Sequence, residues 1–138
     1  MSGGSRSAAR RGPQGDEPSG EEPEAERDFT TIRYETSPDR VATITLNRPE
    51  VLNAFDRQMC EEVRAAWRLV KDDPEVHAVV LRAEGDRAFC AGLDVSKSYG
   101  QPDDVWNHED PGELLSPKWQ KVWKPVVCAV QGLCTAGA

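Results

Sequence analysis

Two stretches of this chain end an apolar run on small residues, and there chemistry could be built from the backbone alone. The first is Arg87-Ala88-Phe89-Cys90-Ala91-Gly92-Leu93-Asp94-Val95. The second is Val126-Val127-Cys128-Ala129-Val130-Gln131-Gly132-Leu133-Cys134-Thr135-Ala136-Gly137-Ala138. Each reads as a short strand running into a glycine-bearing turn. Small residues at a bend let a ligand approach the main chain closely. Two such turns side by side can aim two N–H groups at one point, as an oxygen gaining negative charge in a transition state requires. By spacing alone the same residues also read as ordinary packed turns.

The side chains suggest less. His77 and His108 are the only histidines, and Cys60, Cys90, Cys128 and Cys134 include no Cys-x-x-Cys pair. Buried free thiols are expected, with neither disulfides nor a metal site. Asp94 adjoins the first turn and is expected to cap the next one through its carboxylate. Glu109, Asp110 and Glu113 are expected to face solvent. A net charge of −7 argues against a nucleic-acid partner. No apolar run approaches a membrane span. Arg6, Arg10 and Arg11 are followed by no apolar core, so they do not form a secretory signal. Acidic residues from Asp16 to Asp28 argue against a transit peptide, and a soluble cytoplasmic protein is the default expectation.

The elements that must position the two turns follow from the rest of the chain. Met1 to Asp28 has no Val, Ile, Leu or aromatic residue, so it is expected as a disordered extension. With 138 residues, the remainder has room for one domain. Thr30–Glu35 and Val41–Leu46 are β-prone runs around Ser37-Pro38-Asp39-Arg40 and predict an antiparallel pair, with Ala42, Ile44 and Leu46 on one face. Pro49 breaks the second strand. Met59, Val63, Ala66, Trp67 and Val70 recur at helical spacing after a candidate N-cap, Asp56. Glu61 and Glu62 are expected to suit the helix dipole, and Asp72-Asp73-Pro74 ends the helix. Trp67 reads as core. Val76–Ala83 predicts a strand covered on both faces. Ser96–Gly112 reads as a loop, and Leu114, Leu115, Trp119, Val122 and Trp123 as a short amphipathic helix interrupted or started near Pro117.

Three stretches in this order resemble the enoyl-CoA hydratase/isomerase, or crotonase, family. They are Ala42-Thr43-Ile44-Thr45-Leu46-Asn47-Arg48-Pro49-Glu50-Val51-Leu52-Asn53-Ala54-Phe55, Phe89-Cys90-Ala91-Gly92-Leu93-Asp94, and Lys124-Pro125-Val126-Val127-Cys128-Ala129-Val130-Gln131-Gly132. The resemblance runs from about Phe29 to Ala138. It implies the N-terminal part of an α/β, crotonase-like superhelix of strand-strand-helix units, truncated here.

It also implies an acyl-coenzyme A thioester substrate, whose carbonyl oxygen is held by the backbone N–H groups of Leu93 and Gly137. The coenzyme A part would lie along Glu50, Val51, Leu52, Ala91, Gly92 and Asp94, with backbone near Ala91 and Leu93 reading the adenine edge. Val51 and Leu52 read equally as core packing. No cofactor beyond the coenzyme A of the substrate is implied, and a complete chain would form a homo-trimer or hexamer. The family usually carries a run of glycines where this chain has Ala136-Gly137-Ala138, and often a basic residue in place of Glu50.

The family's hydratases use two glutamates. The first would stand about two residues past Ala138, so the 138-residue chain by itself is expected not to hydrate an enoyl-CoA. With nothing to cover Val126–Val130, Trp119 and Trp123, it is also expected to be poorly soluble or partly unfolded. The alternatives are a non-catalytic or acyl-CoA-binding fragment and a small doubly wound nucleotide-binding module. The latter is disfavoured because Gly132 and Gly137 do not form G-x-G-x-x-G.

Overall fold

The computed structural model describes residues 28–97 and 112–136. Outside them lie the extension up to residue 27, the 98–111 part of the expected loop, and the expected second donor, Gly137. Strand β1 (Ile32–Thr36) pairs antiparallel with β2 (Val41–Leu46), Ile32 facing Leu46 and Thr36 facing Ala42. Arg40 takes a left-handed conformation, φ 64°, to close the turn between them. As expected, Ala42, Ile44 and Leu46 are buried together.

Pro49–Val51 forms one turn of 3-10 helix. Helix α1 (Arg57–Asp72) then begins at Asp56, whose carboxylate accepts from the Met59 N–H at 2.9 Å. That cap is worth about 1 kcal/mol. The predicted stripe is the buried one: Met59, Val63, Ala66, Trp67 and Val70 are all at most 2 % exposed. They pack on Ile32, Ala42, Ile44 and Val79. Burying Met59, Val63 and Val70 contributes roughly 1.5–3 kcal/mol each. Trp67 is core, and its indole N–H donates to the Leu115 carbonyl at 2.8 Å. Glu61 and Glu62 fall beyond the first helical turn. Glu62 instead accepts the N–H and hydroxyl groups of Thr30 and Thr31, pinning the start of β1 to the helix.

The chain returns parallel to β2 as β3 (Ala78–Ala83), so β2, α1 and β3 form a parallel crossover unit. Strand β5 (Val126–Ala129) lies parallel on the far side of β3, giving the order β1-β2-β3-β5. Two short strands, β4 (Ala88–Cys90) and β6 (Leu133–Cys134), pair parallel in a separate sheet. Helix α2 is only Gly112–Leu115.

Three expectations need correction. Among the described residues β3 is covered on one side: Val79 is fully buried, whereas Ala78, Val80 and Leu81 are half-buried and Arg82 is exposed. Of the amphipathic stretch, Pro117 ends α2 early; Val122 is buried, while Trp119 and Trp123 are exposed. Finally, only Cys60 and Cys90 are buried, while Cys128 and Cys134 are exposed among the described residues. Burial pushes the Cys60 thiol up to about 11 and raises that of Cys90.

Candidate functional site

The site is built where β4 ends. Phe55 and Leu93 form a parallel bridge in which the Phe55 N–H donates to the Gly92 carbonyl and the Asp94 N–H to the Phe55 carbonyl, both at 2.9 Å. In such a bridge the flanked residue, Leu93, turns its own N–H and C=O away from the partner. The neighbouring donors are occupied. The Ala91 N–H bonds the Leu52 carbonyl at 3.0 Å, and the Gly92 N–H meets the Cys90 sulfur at 3.4 Å. From Ala91 to Asp94, the Leu93 N–H alone has no acceptor among the described residues. Leu93 itself is 39 % exposed among the described residues.

The second turn is carried to the first by β6. The Leu133 N–H donates to the Arg87 carbonyl at 3.0 Å and the Thr135 N–H to the Cys90 carbonyl at 3.1 Å. The Thr135 hydroxyl reaches the Ala91 carbonyl at 3.3 Å. Gln131 fastens the link before β6, its amide donating to the carbonyls of Ala83 and Gly85 at 3.0 and 2.9 Å. At Gly132, φ 60°, an added Cβ would fall 2.3 Å from the Arg87 oxygen, so the approach of β6 to β4 needs glycine. Gly92, φ 91°, is equally confined: its Cβ would stand 2.8 Å from the Ala136 carbonyl oxygen and 2.9 Å from the Ala136 methyl. The two predicted turns are therefore in direct contact. Ala136 sits in the left-handed region at φ 47°, where a side chain costs about 1–2 kcal/mol.

The other predicted residues lie beside this junction. Glu50 and Val51 are exposed and Leu52 is half-buried; neither Val51 nor Leu52 belongs to the core cluster. Leu52 and Asn53 both have positive φ, 56° and 53°. This strained pair turns the Leu52 carbonyl onto Ala91. Asparagine tolerates that conformation better than leucine does, and Asn53 is 1 % exposed with its polar atoms paired. Its amide donates to the carbonyls of Glu84 and Ala88 at 2.9 and 3.0 Å, and its oxygen accepts from the Arg48 N–H at 2.9 Å.

Asp94 is buried and caps the following turn as expected. One carboxylate oxygen accepts from the Ser96 hydroxyl at 2.5 Å and the Ser96 N–H at 3.2 Å; the other accepts from Arg48 at 3.0 Å. The Ser96 hydroxyl, aided by Arg48, holds its carboxyl below the usual carboxylate range.

Reading the sequence missed Arg48, Asn53 and Gln131. The one available signal was Asn53, a residue type tolerant of left-handed backbone standing just after a proline turn. Among the described residues no group of three or more His, Cys, Asp or Glu is arranged to hold a metal, and no helix is long and apolar enough to cross a membrane.

The model of the enoyl-CoA hydratase/isomerase family matches residues 36–138. The chain belongs to that family. It is 33 % identical over 98 residues to (E)-benzylidenesuccinyl-CoA hydratase of Thauera aromatica, covering 70 % of this chain and 38 % of that protein. Among solved structures it resembles an enoyl-CoA hydratase/isomerase from Mycobacterium paratuberculosis, with 38 % identity and a TM-score of 0.63, covering 77 % of this chain and 42 % of that one. An enoyl-CoA hydratase from Bacillus anthracis, 23 % identical with a TM-score of 0.63, supports the same fold over 75 % of this chain and 40 % of its own. The architecture is thus the crotonase-like α/β fold, and the chain spans about two fifths of the length of these relatives.

Proposed function

We propose that this chain supplies the backbone frame and the first oxyanion donor, Leu93 N–H, of an enzyme acting on acyl-CoA thioesters. The reaction is water addition to a 2-enoyl-CoA or related enolate chemistry. The observation that carries the reading is the Leu93 N–H, which alone from Ala91 to Asp94 has no acceptor among the described residues while the N–H groups on either side of it are bonded. When water gives a proton to a base and its oxygen bonds the carbon β to a thioester carbonyl, the π electrons move toward the carbonyl oxygen and an enolate forms; an acid then returns a proton to the α carbon to complete the product. A fixed donor aimed at that oxygen stabilises the charge, and one such donor is worth about 3–4 kcal/mol. Gly137 N–H is the proposed second donor, following the turn that Gly92 and Ala136 bring together. The coenzyme A portion is proposed to run along Glu50, Val51, Leu52 and the Ala91–Asp94 turn, with no separate cofactor.

Asp94 is not the proton carrier. One of its oxygens is taken by Ser96 and the other by Arg48, and the same bonds lower its pKa and leave it a weak base. The acid and base would stand elsewhere in the complete protein. The experiment is to assay the protein expressed from its complete reading frame for hydration of a short 2-enoyl-CoA. Turnover that falls sharply on disturbing the Leu93 turn is expected. Thioester binding with no turnover would instead favour an acyl-CoA-binding protein, and neither binding nor turnover would refute the reading.

A further inference from the structure

We infer that Arg48 is the positioning residue of the oxyanion site, a partly buried cationic clamp that holds the Leu93 donor in place through Asp94. This inference rests on the proposed reaction and goes beyond it by assigning a role to a side chain that need touch no substrate. The Arg48 side chain is 11 % exposed and its guanidinium serves three elements at once. It meets Asp94 at 3.0 Å, the helix-capping Asp56 at 3.3 Å and the Ala54 carbonyl at 2.5 Å. Its own N–H is fixed by Asn53. Helix α1, the left-handed turn after Pro49 and the turn after β4 therefore share one cation.

Asp94 immediately follows Leu93, and its N–H completes the Phe55 bridge that turns the Leu93 N–H outward. Arg48 and the bridge thus hold the Leu93 peptide from both sides of the Asp94 residue. A planar fork can serve two carboxylates and a carbonyl together, whereas a lysine ammonium is a point charge on a shorter reach. Without the fork, Asp56 and Asp94 would be left near one another as poorly compensated carboxylates. They would relax apart and carry the Leu93 peptide with them. Misplacing a catalytic group by about 1 Å can cost on the order of a hundredfold in rate.

The test is Arg48→Lys in the protein expressed from its complete reading frame, with wild type and Asp56→Asn alongside. Two readouts are taken at a temperature where all three are folded. The first is hydrogen exchange of the Asp94 amide, which should speed up at least tenfold in Arg48→Lys relative to exchange in the core of α1. The second is the split of kcat from KM on a short 2-enoyl-CoA. The expected result is a roughly ten- to hundredfold loss in kcat with KM changed less than threefold, because the donor acts on developing charge. Asp56→Asn, which keeps the Arg48–Asp94 pair, should lose far less kcat. Unchanged Asp94 exchange overturns the proposal. So does faster exchange with unchanged kcat, which would leave Arg48 a staple of the fold only. A wild type inactive on enoyl thioesters defeats the functional reading and the positioning role with it, and the exchange readout then reports the clamp separately.

Discussion

Replacing Gly92 by alanine probes the contact between the two turns. The added methyl would stand 2.8 Å from the Ala136 oxygen and 2.9 Å from the Ala136 methyl, with the Thr135 oxygen at 3.3 Å. Ordinary contact begins near 3.4 Å, so the turns must separate by about 0.6 Å. Two of the opposing atoms are backbone oxygens just after β6, where the Thr135 N–H is bonded to the Cys90 carbonyl, which limits relaxation. The φ of 91° adds a left-handed penalty of about 1–2 kcal/mol, and overpacking adds about 1–3 kcal/mol.

A total loss of about 2–5 kcal/mol in stability is expected, read as a lowered denaturant midpoint with unchanged slope. On the proposed reaction, a separation of the turns would displace the Leu93 donor, and kcat of the protein expressed from its complete reading frame should fall about a hundredfold. One of the two contacts below 3 Å is the Ala136 methyl, so Ala136→Gly in the Gly92→Ala background should recover part of the loss. The same change in wild type should gain about 1 kcal/mol at most, by relieving φ 47°. The two substitutions should therefore be non-additive by at least about 0.5 kcal/mol. A Gly92→Ala protein with wild-type midpoint and kcat, or a strictly additive cycle, would refute the contact between the turns.

Other outcomes follow from the same geometry. Asn53→Asp aims a carboxylate at the Glu84 and Ala88 carbonyls and should cost about 3 kcal/mol or more, measured by urea unfolding. At Glu62 burial opposes ionisation, but the bonds from Thr31 and Thr30 outweigh it and lower its pKa. Its contribution is therefore present above the unfolded-state carboxylate pKa and is lost as pH falls toward the lower folded value. Glu62→Gln should flatten that part of the stability–pH profile, and an unchanged acid limb would contradict the assignment. Trp119, Trp123, Val127, Val130 and Leu133 are all more than 40 % exposed, and β5 is an edge among the described strands. The isolated 138-residue chain should self-associate in sedimentation experiments, and Val127→Lys should reduce this; a monodisperse wild-type monomer would count against it.

The parts of the fold legible in the sequence are those set by local pattern. Helix α1 follows from a 3.6-residue stripe and an aspartate cap, and the β1–β2 hairpin from alternation around a proline turn. The turn after β4 also stood out, because glycine after a short apolar run marks a close approach. What stayed hidden depends on distant partners. An arginine before proline gives no sign that its side chain will bridge Asp56 and Asp94. The separate β4–β6 sheet arises from register between strands more than forty residues apart. Cys128 and Cys134 look buried by composition, yet exposure depends on what packs over β5, which no local pattern states.

The central claim is that Leu93 N–H is aimed at a thioester oxygen, and the infrared spectrum of that carbonyl tests it most directly. An acyl-CoA labelled with carbon-13 at the thioester carbonyl would be bound to the protein expressed from its complete reading frame, and the difference spectrum compared with that in water. A carbonyl band shifted to lower frequency is expected, with the shift reduced in Gly92→Ala and Arg48→Lys. A bound thioester whose band stays at its water position, in wild type and variants alike, would contradict it.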